Sequence, residues 1–394
     1  MTLRTDSEDA VYLDHAATTP PDPEVVAAMQ SVLGPGGSFA NPSSIHVAGR
    51  RSRALSEHAR AAIARMLNVD PVCIVFTSGA TESNNLAIIG AARQRAHSGR
   101  HLITMRTEHK AVIDTFAALE REGWPVTWLA PEPDGLLATG TLEAALREDT
   151  QLVSVMHVNN ETGVVQDIAA IGGLCRSRGI LFHCDAAQSA GKLPLDLAEL
   201  PVDLLSLTAH KFHGPQGVGA LYLADRPDVH IAPLMHGGGQ ERRLRPGTLA
   251  MHQVTGFGTA ATLARERMHE DLTHYRRLND RLWRGLSNLP GMHRNGNPAT
   301  AFPGILNVSA DDVEGESLLL ALEPLCVASG SACNSQTGES SYVLRAMGRD
   351  DRLAQSAIRF SFGRATLIDD IDFAIDRYRR AIGHLRAIAP PAAA

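Results

Sequence analysis

The sequence predicts a layered α/β protein with a large domain and a smaller second domain. Between about residues 70 and 225, short apolar runs alternate with segments of helical length. Most of these runs lack alternating polar residues, which is typical of strands that helices cover on both faces. After about residue 262 the pattern changes to a long amphipathic segment and then to a connection rich in glycine, proline and asparagine. This change indicates a domain boundary.

Seven apolar runs are the strand candidates of the large domain, and they predict a mainly parallel sheet between helices. The runs cover residues 74–77, 102–105, 126–129, 152–158, 180–182, 204–207 and 220–223. The segments between them that have helical length cover residues 84–95, 111–120, 142–147 and 168–178.

The second domain is predicted to mix helices and strands. Its helices are expected at residues 264–289, 315–323, 342–347 and 368–388, and its strands at residues 305–308 and 358–361. A stretch rich in glycine and serine precedes the helix at 342–347.

Composition argues against several classes of protein. The net charge of −6 without a Lys/Arg-rich block lacks the basic footprint of a dedicated nucleic-acid binder, and no apolar run approaches membrane-spanning length. The polar, acidic start has neither a secretion signal nor a transit peptide. Five unevenly spaced cysteines without a Cys-x-x-Cys pair favour neither disulfides nor a zinc site. We therefore expect a cytoplasmic protein without a metal, a membrane contact or a direct nucleic-acid contact.

Polar clusters follow five of the predicted strands. They cover residues 77–82, 108–110, 159–163, 185–188 and 208–214. Ligands of such sheets bind beyond the carboxyl ends of the strands. The five clusters therefore predict one binding site at a single sheet edge.

Lys211 and Asp185 indicate pyridoxal phosphate as the cofactor. Each follows an apolar run, one unit apart along the chain. The cofactor needs an amine to bind its aldehyde and a carboxylate to keep its pyridine nitrogen protonated. A lysine after a strand is more often a solvated surface residue, so the inference rests on the two residues together.

Residues 78–81 join a strand to a helix, where a helix N-terminus favours a phosphate group. The alternative is an ordinary N-cap, since Ser and Thr are common caps. Thr208 and His210 precede Lys211 at another strand end, and together with them a phosphate site is the better explanation.

Three further residues are candidates for chemistry. His109 lies in a polar turn, where an imidazole can stack on an aromatic ring or carry a proton. Cys333 lies in the Gly/Ser-rich stretch, where an exposed thiol can act as a mobile nucleophile, although free cysteines are normally buried and inert. The planar guanidinium group of Arg359 suits a substrate carboxylate, or alternatively an ion pair with an acid of its own domain.

The motifs together resemble the cysteine desulfurases of the NifS/IscS type, which are class-V aminotransferase relatives among the fold-type-I pyridoxal phosphate enzymes. The similarity covers nearly the whole chain and lies in segments 12–20, 41–44, 76–82, 107–109, 157–161, 185–188, 210–211, 236–242, 329–333 and 356–361. It implies a large domain of residues 15–262 and a small domain of residues 1–14 and 263–394. The length of the segment at about 327–341 resembles the long-loop class.

The resemblance also implies a role for each matching residue. Lys211 would bind the cofactor covalently, Asp185 would pair with the pyridine nitrogen, Gln188 would bond the ring oxygen and His109 would stack on the ring. Ala80, Thr81, Thr208 and His210 would hold the phosphate, and Thr248 would reach it from the other subunit of a homodimer. Asn160 and Arg359 would bind the carboxylate of L-cysteine, and Cys333 would take up the sulfur.

The implied activity is removal of sulfur from L-cysteine and its transfer to acceptor proteins of iron–sulfur cluster assembly or thiolation. Two alternatives stay open. A selenocysteine lyase or another β-eliminating enzyme of the same fold would not need Cys333, and a catalytically silent dimeric partner would keep only the fold.

Overall fold

The computed structural model describes residues 10–329 and 340–388. In chain order the strands are β1 (Val11–Tyr12), β2 (Ile74–Thr77), β3 (His101–Met105), β4 (Val126–Leu129), β5 (Thr150–Ser154), β6 (Leu181–Asp185), β7 (Leu204–Thr208), β8 (Gly219–Leu223), β9 (Met292–Arg294), β10 (Ile305–Ala310), β11 (Leu325–Cys326), β12 (Ala328–Ser329) and β13 (Ile358–Ser361). The helices are α1 (Pro23–Val32), α2 (Val47–Leu67), α3 (Ala80–Gln94), α4 (Lys110–Arg121), α5 (Thr139–Ala145), α6 (Ile168–Ser177), α7 (Met251–Leu286), α8 (Gly315–Ala321), α9 (Tyr342–Ala346), α10 (Asp351–Gln355) and α11 (Ile368–Ile388).

The predicted mainly parallel sheet of seven strands is confirmed. Its strand order is β2-β8-β7-β6-β5-β3-β4, and only β8 runs antiparallel to its two neighbours. Most of its strands are buried along their whole length, as the continuous apolar runs require. Because β2 and β7 are both antiparallel to β8, the carboxyl ends of six strands lie at one edge of the sheet.

The apolar run at 152–158 is only partly strand, because β5 ends at Ser154. Beyond it the chain still follows β6, since the N–H of Val155 donates to the carbonyl of His183 at 3.1 Å and that of His157 to Asp185 at 2.9 Å. On the other side, the ladder to β3 ends at the pair Thr104–Ser154, where β5 itself ends. The polar cluster that follows therefore projects past the sheet edge.

Helix boundaries differ most from the prediction around α7. This helix begins at Met251, well before the expected residue 264, and therefore crosses the predicted domain boundary. Its first turns contain two glycines, which lower helix propensity and conceal the helix in the sequence. Gly258 packs against α2 so closely that a Cβ would lie 2.5 Å from the Cα of Ala59. Tertiary packing, and not propensity, sets the start of this helix.

A second sheet lies in the C-terminal part of the chain. Its order is β12-β13-β10-β9 with antiparallel pairing, and β1 pairs separately with β11 in parallel. A separate hydrophobic cluster surrounds it, with Phe360 packed on Tyr378 of α11 and Leu282 contributed by α7. Within 10–329 and 340–388, none of the helices combines the length and the hydrophobicity that crossing a bilayer requires.

We expect that the packing of α6 against the sheet requires glycine at position 172. A Cβ at this position would lie 2.3 Å from the carbonyl oxygen of Pro201 and 2.9 Å from the ring of Phe182. Gly172→Ala should lower the free energy of unfolding by about 1–3 kcal/mol, measured by urea denaturation. The adjacent Gly173 has no atom within 4 Å of its Cβ position and is the matched control. Equal effects of the two substitutions would contradict this packing argument.

Candidate active site

A cavity of about 560 Å³ opens at the carboxyl edge of the seven-stranded sheet. All five polar clusters that follow the predicted strands contribute to it, together with the segment 16–18 and a side chain from β13. The lining includes Ala80, Thr81, His109, Asn160, Asp185, Gln188, Thr208, His210, Lys211 and Arg359. The structure therefore brings together ten of the twelve residues that the sequence singled out.

Asp185 ends β6 and is only 3% exposed. One carboxylate oxygen accepts a hydrogen bond from Asn84 Nδ2 at 2.7 Å, and the other accepts one from the N–H of Ala187 at 2.9 Å. Both partners are donors, as a carboxylate requires. Asn84 lies on α3, about a hundred residues away in the chain, and sequence reasoning missed it. The carboxylate is thus held in one orientation at the cavity wall.

Lys211 follows β7 at the end of a short 3-10 turn, Ala209–Lys211. Its Nζ donates to the carbonyl oxygens of Ala16 at 2.5 Å and Ala17 at 2.7 Å. These acceptors come from the start of the chain, a segment that the sequence analysis named only among the motifs that carry the resemblance. The amine is therefore held by backbone oxygens inside the cavity.

The start of α3 is open toward the cavity. Its N-cap, Gly79, makes no side-chain capping bond, which differs from the ordinary cap considered for this segment. A Cβ at Gly79 would meet only Thr208 Oγ1, at 3.8 Å. Glu82 accepts instead from the N–H of Ser78 at 2.7 Å. The uncapped N-terminus and its positive dipole end are therefore available for an anion.

His109 is the N-cap of α4, and its Nδ1 accepts a hydrogen bond from the N–H of Ala111 at 3.1 Å. Its proton therefore resides on Nε2. Burial and the charge of Lys211 lower its pKa, and burial likewise lowers the pKa of His210 to about 4. His109 and His210 are thus neutral near pH 7. A neutral ring suits stacking and can accept a proton.

Asn160 and Arg359 meet at the side of the cavity. Arg359 Nη1 donates to the carbonyl oxygen of Asn160 at 2.8 Å, and Nη2 pairs with Asp14 at 2.6 Å. The structural ion pair left open by the sequence is therefore present. Arg359 Nε and Asn160 Oδ1 are buried and have no hydrogen-bond partner among the described residues. One donor and one acceptor remain for a ligand.

Two buried glutamates escaped sequence analysis because their partners are remote in the chain. Glu108 accepts from the N–H of Met156 at 2.8 Å, and burial raises its pKa well above the usual range. Glu161 accepts from Ser341 Oγ at 2.5 Å, and burial raises its pKa to about 7. Both directly adjoin cavity residues, His109 and Asn160.

Among the described residues, one predicted site residue does not line this cavity. Thr248 lies in a separate depression of about 440 Å³ that Asn41, Arg60 and Glu241 also line. Cys333 lies outside the described residues.

The chain matches a family model described as Aminotransferase class-V over residues 11–373. The chain belongs to the aminotransferase class-V family. It is 53% identical over 381 residues to Cysteine desulfurase IscS of Salmonella schwarzengrund (strain CVM19633), which covers 96% of this chain and 94% of that protein. The resemblance inferred from the sequence motifs is thereby confirmed.

Solved structures of the same fold are also similar. A NifS-like protein superposes with a TM-score of 0.89 at 35% identity, covering 95% of this chain and all (100%) of that one. A structure titled SspA in complex with cysteine gives a TM-score of 0.80 at 37% identity, covering 89% of this chain and 98% of that one. The predicted fold-type-I architecture is confirmed.

Class-V aminotransferases are pyridoxal phosphate enzymes, which confirms the predicted cofactor. The cavity fits this group, since it combines an uncapped helix start for the phosphate, the buried carboxylate of Asp185 and the amine of Lys211. In the part of the chain that the structure describes, no three His, Cys, Asp or Glu side chains are grouped as metal ligands.

Glu161 is expected to make stability fall as the pH rises. Folding raises its pKa from 4.5 to about 7, so within this range the folded chain holds a proton that the unfolded chain has released. Its contribution is present below pH 4.5 and is lost as the pH rises through 7. Glu161→Gln lacks this loss. Its unfolding free energy should therefore rise relative to that of the wild type by on the order of 3 kcal/mol as the pH rises from 4.5 to 8.

Urea denaturation of the cofactor-free chain at the two pH values measures this change. Glu148→Gln, at an exposed position, is the matched control. If Glu161→Gln changes the unfolding free energy by the same amount at both pH values, the raised pKa of Glu161 is disproved.

Proposed function

We propose that this protein is a cysteine desulfurase that converts L-cysteine to L-alanine and places the sulfur on Cys333 as a persulfide. The convergence of Lys211, Asp185 and the Asn160–Arg359 pair on one cavity carries this proposal. The reaction balances without an oxidant: one carbon–sulfur bond breaks, one sulfur–sulfur bond forms, and the thiol proton passes to the product. The persulfide then supplies acceptor proteins of iron–sulfur cluster assembly or thiolation.

Lys211 would hold the cofactor covalently, Asp185 would pair with its pyridine nitrogen and Gln188 would bond its ring oxygen. Ala80, Thr81, Thr208 and His210 would bind its phosphate, and His109 would lie against its ring. Pyridoxal phosphate supplies an electron sink that lets the bonds at the substrate's α-carbon and β-carbon break.

The side chains around the cavity would bind the substrate and transfer protons. Asn160 and Arg359 would bind the substrate carboxylate, for which Arg359 Nε is a buried donor without a hydrogen-bond partner among the described residues. The Lys211 amine would take the proton from the α-carbon and return one to the product. Neutral His109 would accept the proton of a thiol, which leaves a thiolate as nucleophile.

The proposal includes a homodimer in which Thr248 serves the site of the other subunit. The position of Thr248 outside the cavity of its own chain supports this assignment. The two hydrophobic clusters support the proposed division into residues 15–262 and residues 1–14 with 263–394, although α7 contributes to both and Ala16 and Val158 belong to the C-terminal cluster. Cysteines 73, 175, 184 and 326 form no disulfide, which supports a reducing compartment such as the cytoplasm.

Cys333→Ser should lower persulfide and sulfide formation from L-cysteine at least about 100-fold, because a hydroxyl does not replace a thiolate nucleophile. The visible absorbance of the bound cofactor should persist. Alanine and sulfide are measured together over time.

Cys326→Ser, at a half-buried free cysteine, is the control and should keep full turnover. Undiminished sulfur transfer by Cys333→Ser would instead favour a β-eliminating enzyme such as a selenocysteine lyase.

Thr248→Val should weaken cofactor binding about tenfold through loss of one charge-assisted hydrogen bond. A mixed dimer distinguishes the two possible arrangements. If Thr248 acts across the interface, a dimer of one Lys211→Ala chain and one Thr248→Val chain contains one intact site, with wild-type affinity and half the wild-type turnover. If Thr248 acts within its own chain, that dimer shows only the weakened site. Equilibrium dialysis and turnover of the purified mixed dimer measure this.

A further inference from the structure

Lysine is rare in this chain, and its positions are informative. Of 37 lysine and arginine residues only three are lysines, at positions 110, 192 and 211. Arginine thus carries nearly all of the positive charge, including the ion pairs with exposed carboxylates. A lysine in such a sequence indicates a role for which arginine is unsuitable. Lysine has a compact amine that can lose its proton, and arginine does not.

Lys192 lies in the turn after β6, half-buried behind the cavity. Its Nζ donates to Gln188 Oε1 at 3.1 Å and lies 5.7 Å from the centre of the Phe302 ring. It forms no ion pair with any carboxylate in the described part of the chain. Asp271 lines a small cavity of about 10 Å³ together with Lys192, but its carboxylate is paired with Arg364 at 2.8 Å.

Lys192 determines the orientation of the Gln188 carboxamide. An ammonium group has only donors, so the atom that it contacts has to be the amide oxygen. The other end, Nε2, donates to the carbonyl oxygen of Ala16 at 2.8 Å. The same carbonyl accepts from Lys211 Nζ. The two lysines are therefore the ends of one hydrogen-bonded chain, Lys192–Gln188–Ala16–Lys211.

The surroundings of Lys192 are predominantly cationic. Burial, followed by the charges of Lys211 and Arg359, lowers its pKa to about 7. Lys192 in turn lowers the pKa of three neighbouring imidazoles. The titratable groups around it are Lys211, Arg359, His15, His210 and His213, together with Asp271, Tyr275 and Arg364 in the small cavity.

We propose that Lys192 is a positioning residue of this site, which orients the Gln188 carboxamide toward the cofactor and couples its own protonation to that of Lys211. This role rests on the proposed function of Gln188 and Lys211. An arginine at position 192 would remain charged throughout the working pH range, which accounts for the retained lysine.

The low lysine count allows a direct test. The full-length chain labelled with [ε-¹³C]lysine gives three lysine resonances, which single Lys→Met variants assign. In the cofactor-free protein the Lys192 resonance should titrate with a midpoint near pH 7. Lys211→Met should raise that midpoint by about one pH unit, because it removes a nearby like charge. Arg106→Met removes an exposed charge and should leave the midpoint unchanged.

Cofactor binding tests the positioning role. Lys192→Met should raise the dissociation constant for pyridoxal phosphate about tenfold. The double variant with Gln188→Ala should lose less than the product of the two single effects, because Lys192 acts through Gln188.

A Lys192 midpoint near that of a solvated lysine, or one that is insensitive to Lys211→Met, would overturn the coupling. If the double variant raises the dissociation constant by the full product of the two single effects, the positioning role is overturned. Failure of wild type to bind the cofactor at Lys211, seen as absence of the visible band, would instead refute the proposed function and leave the titration result standing.

Discussion

Backbone hydrogen bonds of the segment 13–19 hold the two parts of the site together. The carbonyl of Leu13 accepts from the N–H of Ser361 at 2.7 Å, which adds this segment to the sheet that carries Arg359. Three residues later the carbonyl of Ala16 accepts from Lys211 in the other part of the chain. Because backbone carbonyls have a fixed spacing along the chain, this strap, which turns at residues 14–17, sets the distance between Lys211 Nζ and Arg359.

Burial then decides the protonation state of the groups around this strap. Removal from water disfavours charge, so the pKa of Glu161 rises to about 7 and those of His210 and Lys192 fall to about 4 and about 7. Asp185 instead accepts hydrogen bonds from two N–H donors. The site thus combines neutral imidazoles and two groups that titrate near pH 7 with one carboxylate held by two donors.

The prediction from the sequence was most accurate where the physical cause is local. All seven strands of the large sheet were found as apolar runs, because burial on both faces leaves that pattern in consecutive residues. The start of α7 was missed because its two glycines have a low helix propensity and are required instead for close packing on α1 and α2. Asn84, Glu161 and Lys192 were missed because their importance depends on partners, or on burial, that no local pattern records.

The sequence alone therefore determined the sheet, the polar clusters at its edge and the cofactor, since a strand end followed by a reactive side chain is a local arrangement of neighbours. Only the tertiary structure decided that the Lys211 amine rests on the carbonyls of Ala16 and Ala17, that Thr248 lies outside the cavity of its own chain, and that Lys192 loses its charge near neutrality. These outcomes depend on distances and on solvent exclusion between residues far apart in the chain, and such quantities exist only after the chain has folded.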